Sequence, residues 1–452
     1  MDLAGKNIIV VGGGLSGQAV CRYLVGQGSK VTLFDDRSAE KFGAAAAELA
    51  ALGVEMCLGG QIPAGAFDLC LKSPGIPPTH PLLVQLADAK TPIIGEIELA
   101  YLTADAAPRF IGITGTNGKT TTTTLLELML RQAGVETLLG GNIGAPLVGR
   151  MGGFGGCVVA ELSSFQLEDS RELHINTALF LNLTPDHLDR HGDIEGYFAA
   201  KAKIFAHQTA ADTAVLNADD EWCIRAAALT PARKLWFSLA PLAADQDGLE
   251  LCDGDIRIKR GAEYTHLIRA EEIYIKGRHN WQNAMAAAAA ALAQGISAEQ
   301  IAATLRDFRG VEHRLEFVCR KNGVDYYNDS KGTNPDSTTK AIEAFASPLV
   351  MILGGYDKGS DFHPLLQMVK EKVRYCIITG ATAPAIKAAA DAAGYGSYAL
   401  AADFDTAVRM AMAECREGDT LLFSPACASW DAFPNYMVRG ERFKQLVTEE
   451  QI

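Results

Sequence analysis

Residues 112–121 read GITGTNGKTT and decide the fold of this chain. A glycine-rich turn that ends in Gly-Lys-Thr offers backbone N–H groups to a triphosphate, while Lys119 adds a positive charge and a threonine hydroxyl can bind Mg²⁺. Residues 109–114 predict a strand before the turn, and residues 120–130 predict a helix after it, with its N-terminal dipole facing the anion. The stretch therefore predicts an α/β domain that binds a nucleoside triphosphate.

The turn is a variant of the strict phosphate-binding loop. That motif has a glycine five residues before Gly118, and Ile113 stands there instead. The difference argues against an ordinary kinase or GTPase. The alternative is a glycine-rich turn that merely joins a strand to a helix, and the Gly-Lys-Thr ending disfavours it.

Composition limits the class of protein. The chain has 452 residues, of which 48% are hydrophobic and 21% charged, which suits about three globular domains. The formal net charge of −13 argues against a nucleic-acid partner, since such proteins carry a basic surface. Phosphates must then be bound by a few basic side chains focused in a cleft.

Several absences in the sequence favour a cytoplasmic protein. The N-terminus enters an apolar strand without a basic segment or cleavage site, and the alanine-rich run 284–293 is too short to insert into a membrane. The ten cysteines form no Cys-x-x-Cys pair, so we expect reduced thiols that pack as small core residues. We expect a monomer.

The first 97 residues carry a dinucleotide-binding pattern. Strand 8–11 leads into Gly12, Gly14 and Gly17 at G-x-G-x-x-G spacing, and then into helix 18–27 and strand 30–34. The second strand ends on acidic residues, and this pattern by itself suggests NAD. Strands 69–72 and 92–94 fit the same sheet. The first predicted domain is 1–97.

Two further α/β units follow. In the second domain, 98–310, we predict strands at 136–139, 157–160 and 177–181, a hairpin over 248–259 and a helix over 281–293. In the third, 311–452, strands are predicted at 325–328, 349–353, 375–379 and 420–423. Polar loops follow these last strands, and ligands of open parallel sheets bind at such carboxyl ends.

Three residues of the second domain are candidates for metal chemistry. Glu161 ends an apolar strand, where a nucleotide-binding sheet places its Mg²⁺-binding carboxylate. His187 also follows a strand and can face the same site. Lys201 shares a helical stripe with apolar residues, so it is predicted to point inward. A solvated glutamate, a structural histidine and a lysine whose ammonium reaches solvent are the alternatives.

A buried Lys201 has a specific chemical possibility. Burial drives an amine towards its neutral form, and a neutral amine can add CO₂ to become a carbamate. The Lys201 side chain, which would otherwise be a cation, then becomes a carboxylate-like metal ligand.

The whole series of motifs resembles the ATP-dependent Mur ligases of peptidoglycan synthesis, over essentially the full chain and in the right order. The resemblance implies three α/β domains: an N-terminal Rossmann-like domain, a central P-loop-type ATP-binding domain and a C-terminal Rossmann-like domain. The motifs are GTNGKT at 115–120, ELSSF at 161–165, DHLD at 186–189, Lys201, GRHN at 277–280, His313-Arg314 and DSK at 329–331.

The resemblance also changes the ligand expected in the first domain. In this family the glycine turn holds the UDP end of the substrate, so NAD is not expected. Segments 161–168 and 424–431 resemble members that add D-glutamate, which implies UDP-N-acetylmuramoyl-L-alanine and D-glutamate as the small-molecule substrates. The residues implied to bind the UDP substrate are Gly14, Leu15, Ser16, Asp35, Asp36, Arg37, Ser73, Pro74, Gly75, Asn142, Ser163 and His187.

The same resemblance assigns the remaining site residues. Lys119, Glu161, His187 and Lys201 are implied to be catalytic. Thr120 and Glu161 would bind one Mg²⁺, and His187 with carbamylated Lys201 a second. ATP would be bound by Gly115, Thr116, Asn117, Gly118, Lys119, Thr120, Thr121, Asn280, Asn283, Arg314, Asp329 and Lys331. D-Glutamate would be bound by Thr333, Lys358, Ser429 and Tyr436.

Three other functions compete with this one. They are a related ligase that adds a different amino acid or extends folate with glutamate, a non-catalytic regulator that binds a nucleotide sugar, and a dehydrogenase. The third-domain loops favour the ligase for D-glutamate.

Overall fold

The computed structural model describes residues 1–275, 277–346, 348–356 and 359–449. The chain forms two compact units. One consists of Met1–Leu267 and Met285–Thr304, and the other of Ile268–Ala284 and the described part of Leu305–Ile452. The first unit contains two sheets and the second contains one.

The first sheet forms because short apolar runs are buried on both faces between helices. Residues 8–11, for example, are almost inaccessible to solvent. The strands are β1 (Asn7–Val11), β2 (Lys30–Asp35), β3 (Glu55–Leu58), β4 (Leu69–Lys72) and β5 (Ile93–Ile94); the helices are α1 (Leu15–Gly26), α2 (Ala39–Phe42), α3 (Ala44–Ala51), α4 (Pro81–Asp88) and α5 (Glu96–Leu102). All pairings are parallel, in the order β3-β2-β1-β4-β5. The order reverses between β1 and β4, and the glycine turn lies at that point.

The second sheet has nine strands and carries the phosphate-loop motif. Its strands are β6 (Arg109–Thr114), β7 (Thr137–Gly141), β8 (Cys157–Glu161), β9 (Thr177–Phe180), β10 (Thr213–Asn217), β11 (Arg233–Ser238), β12 (Gly248–Cys252), β13 (Asp255–Arg260) and β14 (Glu263–Arg269). The order is β14-β13-β12-β11-β10-β9-β6-β8-β7. Because β6 lies between β8 and β9, residues at the carboxyl ends of these three parallel strands meet at one edge.

Helices complete this part of the chain. They are α6 (Lys119–Gln132), α7 (Ser164–Glu168), α8 (Leu188–His191), α9 (Ile194–Ala202), α10 (Glu221–Ala226), α11 (Arg278–Ala293) and α12 (Ala298–Asp307). Residues 286–291 of α11 are all alanine and fully buried. Their small side chains allow close approach of neighbouring elements, as the sequence suggests.

The second unit contains a six-stranded sheet. Its elements are β15 (Glu316–Lys321), β16 (Val324–Asn328), α13 (Pro335–Glu343), β17 (Leu349–Gly354), α14 (His363–Lys372), β18 (Val373–Thr379), α15 (Ala383–Ala393), β19 (Tyr398–Leu400), α16 (Phe404–Glu414), β20 (Thr420–Phe423) and α17 (Tyr436–Glu449). The order is β15-β16-β20-β17-β18-β19. Only the β15–β16 pair is antiparallel among the pairs described in this sheet.

The predicted strands are confirmed to within two residues at each end, and the hairpin over 248–259 is confirmed as β12 and β13. The sequence interpretation did not identify β3, β14, β15 or β19, nor β10 and β11, which extend the second sheet. The domain boundaries at 97 and 310 stay predictions; residue 97 lies inside α5. Among the residues described, no helix combines the length and apolarity needed to cross a membrane.

One glycine at the edge of the second sheet provides a test of the packing. Gly141 has φ +93°, and a Cβ there would lie 2.1 Å from the Glu161 backbone oxygen. Gly134 has φ +81°, and a Cβ added to it would meet nothing within 4 Å. We expect Gly134→Ala to cost about 1 kcal/mol in the free energy of unfolding, from the backbone conformation alone.

Gly141→Ala should cost about 2–4 kcal/mol, because a backbone clash adds to the same conformational strain. Urea denaturation of both variants measures the difference. Equal losses would show that β7 moves away from β8 at no cost.

Candidate functional site

The phosphate-loop turn joins β6 to α6 without an intervening element. Gly115 and Gly118 have φ +149° and +84°, a region that disfavours side chains. A Cβ on Gly115 would lie 3.1 Å from Leu181 Cβ. The turn therefore needs glycine at these positions for backbone reasons, and it directs the N-terminus of the 14-residue helix α6 towards the site.

Asn182, two residues after the end of β9, stabilises the turn through hydrogen bonds. Its Oδ1 accepts from Asn117 N (2.9 Å), its Nδ2 donates to the Asn117 carbonyl (3.1 Å), and its own carbonyl accepts from Thr116 N (3.0 Å). The sequence interpretation gave Asn182 no role. An amide side chain at the carboxyl end of the strand beside β6 was the available signal.

Glu161 lies at the end of β8 and is only 1% exposed. Thr120 Oγ1 donates to its Oε2 and Asn142 Nδ2 to its Oε1, both at 2.8 Å. The carboxylate and the hydroxyl are oxygen ligands of the kind that Mg²⁺ prefers. The predicted metal-binding pair Thr120 and Glu161 is therefore in direct contact, and its donor set fits Mg²⁺.

Two lysine side chains meet at the same turn. Lys119 Nζ donates to the carbonyls of Gly115 and Thr116, both at 2.8 Å, and Lys201 Nζ donates to the Gly115 carbonyl at 2.8 Å. Lys201 is 1% exposed, as its helical stripe predicts, and lies 4.7 Å from the centre of the Tyr197 ring. Burial, followed by the nearby Lys119 charge, lowers the pKa of Lys201 well below its ordinary value. The neutral amine that carbamylation requires is thus favoured.

His187 lies near these groups with a strained backbone. Its φ is +54°, and its ring packs edge-on against Phe165 at 4.9 Å between centroids. The Tyr197 ring also lies near His187, with 6.4 Å between the two ring centroids. Strain of this kind at a non-glycine residue is common at functional sites, where the surroundings hold a side chain in place.

Ser163 begins α7 through a capping box. Its Oγ accepts from Gln166 N at 3.2 Å, and Gln166 Oε1 accepts from Ser163 N at 3.0 Å. The two residues between them are Ser164 and Phe165, and Ser164 Oγ lies 2.9 Å from His191 Nε2. The cap fixes the orientation of Ser163, which follows Glu161 by two residues in the sequence.

The carboxylate of Asp35, paired with Arg37, holds the glycine turn of the first sheet. Gly13 N donates to Asp35 Oδ2 (2.7 Å), and Arg37 Nε donates to Asp35 Oδ1 (2.8 Å). Burial alone would raise the pKa of Asp35, but the Arg37 and Gly13 hydrogen bonds outweigh it, so the pKa is lowered. Asp36 lies beside His80, with 3.4 Å between Oδ2 and Nε2.

The remaining predicted residues of this region surround the turn. Gly14 is the N-cap of α1, and Leu15 and Ser16 begin that helix, so their backbone N–H groups are at its N-terminus. Ser73 Oγ donates to the Gly12 carbonyl at 2.8 Å, which brings the loop containing Pro74 and Gly75 to the turn.

In the second unit, Asp329 lies at the carboxyl end of β16. Its Oδ2 accepts from Ser424 Oγ (2.7 Å), and its Oδ1 accepts from Leu315 N (3.2 Å). Burial raises the pKa of Asp329 to about 6, although the Arg314 charge opposes the shift. Arg314 Nη1 donates to Ser337 Oγ at 2.9 Å.

Arg439, which the sequence interpretation missed, joins the loops that carry the predicted D-glutamate ligands. It is 2% exposed, and its guanidinium donates to the carbonyls of Ala428, Cys427 and Ser330 at 2.9–3.0 Å. Lys331 Nζ lies 5.2 Å from the Tyr436 ring centre. The DSK loop, the loop ending at Ser429 and the start of α17 are thereby held together; the position of Arg439 within α17 gave no sequence signal.

The other predicted residues of this unit have simple placements. Asn283 Nδ2 donates to Asn280 Oδ1 at 3.0 Å, and both are buried. Thr333 N donates to the Lys331 carbonyl at 2.9 Å. Lys358 lies outside the described residues.

The predicted residues thus fall into two groups. The first unit holds the phosphate turn, Glu161, His187, Lys201 and the glycine turn of the first sheet. The second unit holds Asn280, Asn283, Arg314, Asp329, Lys331, Thr333, Ser429 and Tyr436. A glycine turn with a positively charged lysine, backed by a buried carboxylate, defines the first unit as part of a nucleotide-binding α/β protein.

Comparisons with known proteins identify the family. Residues 6–95 match the "Mur ligase MurD-like, N-terminal domain", residues 113–291 the "Mur ligase middle domain" and residues 313–427 the "Mur ligase, glutamate ligase domain". Proteins named UDP-N-acetylmuramoylalanine--D-glutamate ligase from Pelotomaculum thermopropionicum and Acidobacterium capsulatum are each 42% identical, over 99% of this chain and 98% and 97% of theirs. The chain belongs to the Mur ligase family.

Solved structures agree with the fold. UDP-N-acetylmuramate-alanine ligase from Thermotoga maritima has a TM-score of 0.62 at 19% identity, covering 99% of this chain and 100% of the other. MurF from Acinetobacter baumannii has a TM-score of 0.59 at 18% identity, covering 93% and 91%. The expected three-domain α/β architecture is confirmed.

The buried acid of the second unit predicts a pH dependence of stability. Between the unfolded pKa of 3.8 and the folded value of about 6, the folded state retains a proton that the unfolded state has lost. Stability contributed by protonated Asp329 is therefore full below pH 3.8 and is lost as pH rises towards 6.

The variant Asp329→Asn removes this titration. Its free energy of unfolding relative to the unaltered protein should rise by about 2 kcal/mol between about pH 4 and pH 6.5. Urea denaturation across that range measures the difference. A difference independent of pH would contradict the raised pKa.

Proposed function

We propose that this chain adds D-glutamate to UDP-N-acetylmuramoyl-L-alanine at the expense of ATP, in peptidoglycan precursor synthesis. The observation that carries the proposal is the 42% identity, over 99% of the chain, to relatives that bear the name of that ligase. The Glu161–Thr120 contact beneath the phosphate turn supports it from the structure. A monomeric state and a cytoplasmic location belong to the proposal.

The chemical difficulty is that a carboxylate and an amine in water form a salt rather than an amide, because the carboxylate oxygen is a poor leaving group. Phosphorylation of the carboxylate by ATP removes this difficulty, because phosphate is a better leaving group. An alanyl carboxylate oxygen attacks the γ-phosphorus of ATP, ADP leaves, and an acyl phosphate results. The D-glutamate amine then attacks the carbonyl carbon to give a tetrahedral oxyanion. Loss of inorganic phosphate and of one amine proton leaves the peptide bond.

In this proposal the phosphate turn binds and orients the triphosphate. The N–H groups of residues 115–121 and the helix dipole of α6 face the phosphate oxygens. The Lys119 ammonium, which donates to two loop carbonyls, exchanges them for β- and γ-phosphate oxygens. Thr120 and Glu161 would hold Mg²⁺, which when bound neutralises charge on those oxygens.

Lys201 and His187 are proposed to hold a second Mg²⁺. The neutral Lys201 amine adds CO₂ and releases one proton to solvent, so the side chain becomes a carbamate whose oxygens suit that ion. Its buried position beside the Gly115 carbonyl supports the role, since burial favours the neutral amine. His187, held by Phe165, would supply the other ligand.

The first sheet is proposed to bind the UDP end of the substrate. The N-terminus of α1, which has no side-chain cap, can bind the diphosphate through the N–H groups of Leu15 and Ser16. Asp35, Asp36 and Arg37 would face the nucleoside together with the Ser73-Pro74-Gly75 loop. Asn142 and Ser163 would face the muramoyl part.

Residues of the second unit are also assigned to the small-molecule ligands in this proposal. Asn280 and Asn283 would lie near the adenine, and Arg314, Asp329 and Lys331 would contact the nucleotide. D-Glutamate carries two carboxylates, which Thr333, Lys358, Ser429 and Tyr436 would bind. The loop bearing Ser429 is joined to α17, which begins at Tyr436, because Arg439 of α17 donates to the Ala428 carbonyl at 3.0 Å.

The direct test is ADP release by the purified protein with ATP and Mg²⁺. We expect ADP and phosphate only when UDP-N-acetylmuramoyl-L-alanine and D-glutamate are both present, with a product heavier by one glutamyl residue. Lys119→Ala should lower turnover by about 10²-fold or more, because an electrostatic contact to the transferring phosphoryl group is lost. Lys6→Ala, which removes an exposed lysine away from the turn, is the matched control.

Two results would contradict the proposal. ADP release with another amino acid but none with D-glutamate would indicate a related ligase. Binding of the nucleotide sugar without any phosphate release, unaffected by Lys119→Ala, would indicate a regulator.

The carbamate is tested by chemical rescue. Lys201→Ala should lose nearly all activity, and millimolar acetate or formate should restore part of it by supplying the missing carboxylate oxygens. Lys119→Ala, measured in the same buffers, should show no rescue, and chloride at equal ionic strength should restore neither variant. Full activity of Lys201→Ala without any added carboxylate would remove the metal-ligand role.

A further inference from the structure

A buried ion pair joins the first two sheets of the first unit. Lys72 Nζ lies 2.7 Å from Asp169 Oδ2, and the two side chains are 2% and 11% exposed. Neither residue belongs to the site proposed above. Each one, however, is adjacent in sequence to a segment that does.

Lys72 is the last residue of β4 and directly precedes the proposed sugar-nucleotide loop. Its ammonium also donates to the Ile76 carbonyl at 3.2 Å, which closes the loop across residues 73–76. Within that loop Ser73 Oγ donates to the Gly12 carbonyl. The Lys72 ammonium therefore stabilises the loop at residues 73–76, and this loop in turn contacts the glycine turn through Ser73.

Asp169 is the C-cap of α7, at the opposite end from Ser163. Five helical residues span about 7.5 Å, and the capping box makes the short helix a defined spacer. Ser163 in turn follows Glu161 by two residues. The carboxylate of Asp169 is thus tied by α7 to the segment that carries the metal-binding carboxylate.

Stability alone does not explain such a pair. Burial raises the pKa of Asp169, and the Lys72 charge opposes the rise, so the charged form depends on its partner. Replacing a buried ion pair with apolar side chains of similar size is often neutral or stabilising. What the pair adds over apolar contact is a short, fixed separation between its two elements.

We propose that Lys72 and Asp169 are positioning residues that fix the loop at Ser73 relative to the segment that begins at Glu161. The alanyl carboxylate of the bound sugar nucleotide is thereby held at a constant distance from the phosphate turn. The inference rests on the proposed function, because it assigns the loop to the UDP substrate.

A second contact between the same two sheets provides a matched control. Glu98, 1% exposed on α5, accepts from Glu172 N (2.7 Å) and Leu173 N (3.1 Å). It links the two sheets as Lys72 does, but its hydrogen bonds go to residues 172 and 173 and not to the loop at Ser73 or to α7. Glu98→Gln therefore weakens the contact between the sheets without altering the positioning pair.

The experiment compares Asp169→Asn, Lys72→Met, the apolar double variant Lys72→Met/Asp169→Leu and Glu98→Gln. Urea denaturation, kcat and the KM values for both nucleotide substrates are measured for each. For Asp169→Asn and Lys72→Met we expect kcat/KM for the sugar nucleotide to fall about tenfold, with KM for ATP changed less than about twofold. The double variant should regain stability but not kcat/KM. Glu98→Gln should lose stability and keep both kinetic constants.

The outcomes separate the two proposals. If the single variants keep the original kcat/KM, or if the double variant recovers it along with stability, the positioning role is wrong. If a single variant fails to fold, the kcat/KM of the double variant decides whether the positioning role is correct. If the unaltered protein releases no ADP, the proposed function fails. The positioning role is then judged by calorimetric binding of UDP-N-acetylmuramoyl-L-alanine, which the double variant should weaken and Glu98→Gln should not.

Discussion

The carbonyl oxygen of Gly115 accepts hydrogen bonds from two lysine side chains, and the arrangement around it constrains the rest of the first unit. Burial, and then repulsion by the Lys119 charge, disfavour a second ammonium group here, so Lys201 is driven towards its neutral form. Glu161 and Asp186 oppose that repulsion at Lys201. The Lys119 ammonium and the backbone N–H groups of the turn together favour a polyanion, and a triphosphate is the polyanion that fits a glycine turn at a helix N-terminus.

Glu161 connects this charge to the scaffold. The residue ends β8, beside the edge strand β7. Its backbone oxygen leaves no room for a Cβ at Gly141, and its side chain is held by Thr120 and Asn142. Because both oxygens already have donors, the carboxylate keeps one orientation. The same segment continues through the Ser163 cap and α7 to Asp169, so a short stretch of chain relates the phosphate turn to the neighbouring sheet.

Much of this was predictable from sequence because its signals are local. Apolar runs of strand length, glycines where φ must be positive, and a Gly-Lys-Thr ending all act within a few residues, and β4, β6 and β20 were predicted with the observed bounds. The strands that were missed, β3, β10, β11, β14, β15 and β19, carry no motif. Asn182, Arg439 and the Lys72–Asp169 pair were missed because their partners are distant in sequence and ordinary in type.

By itself the sequence determined the α/β class, the phosphate turn, the inward-pointing Lys201 and the family resemblance, since backbone sterics and hydrophobic periodicity are properties of neighbouring residues. Only the tertiary structure decided which polar groups meet. It brings the Thr120 hydroxyl into a hydrogen bond with Glu161, the Lys201 amine into one with the Gly115 carbonyl, and Lys72 into an ion pair with Asp169. A buried polar group must find a partner wherever packing brings one, and strand order, which no local pattern encodes, sets that choice.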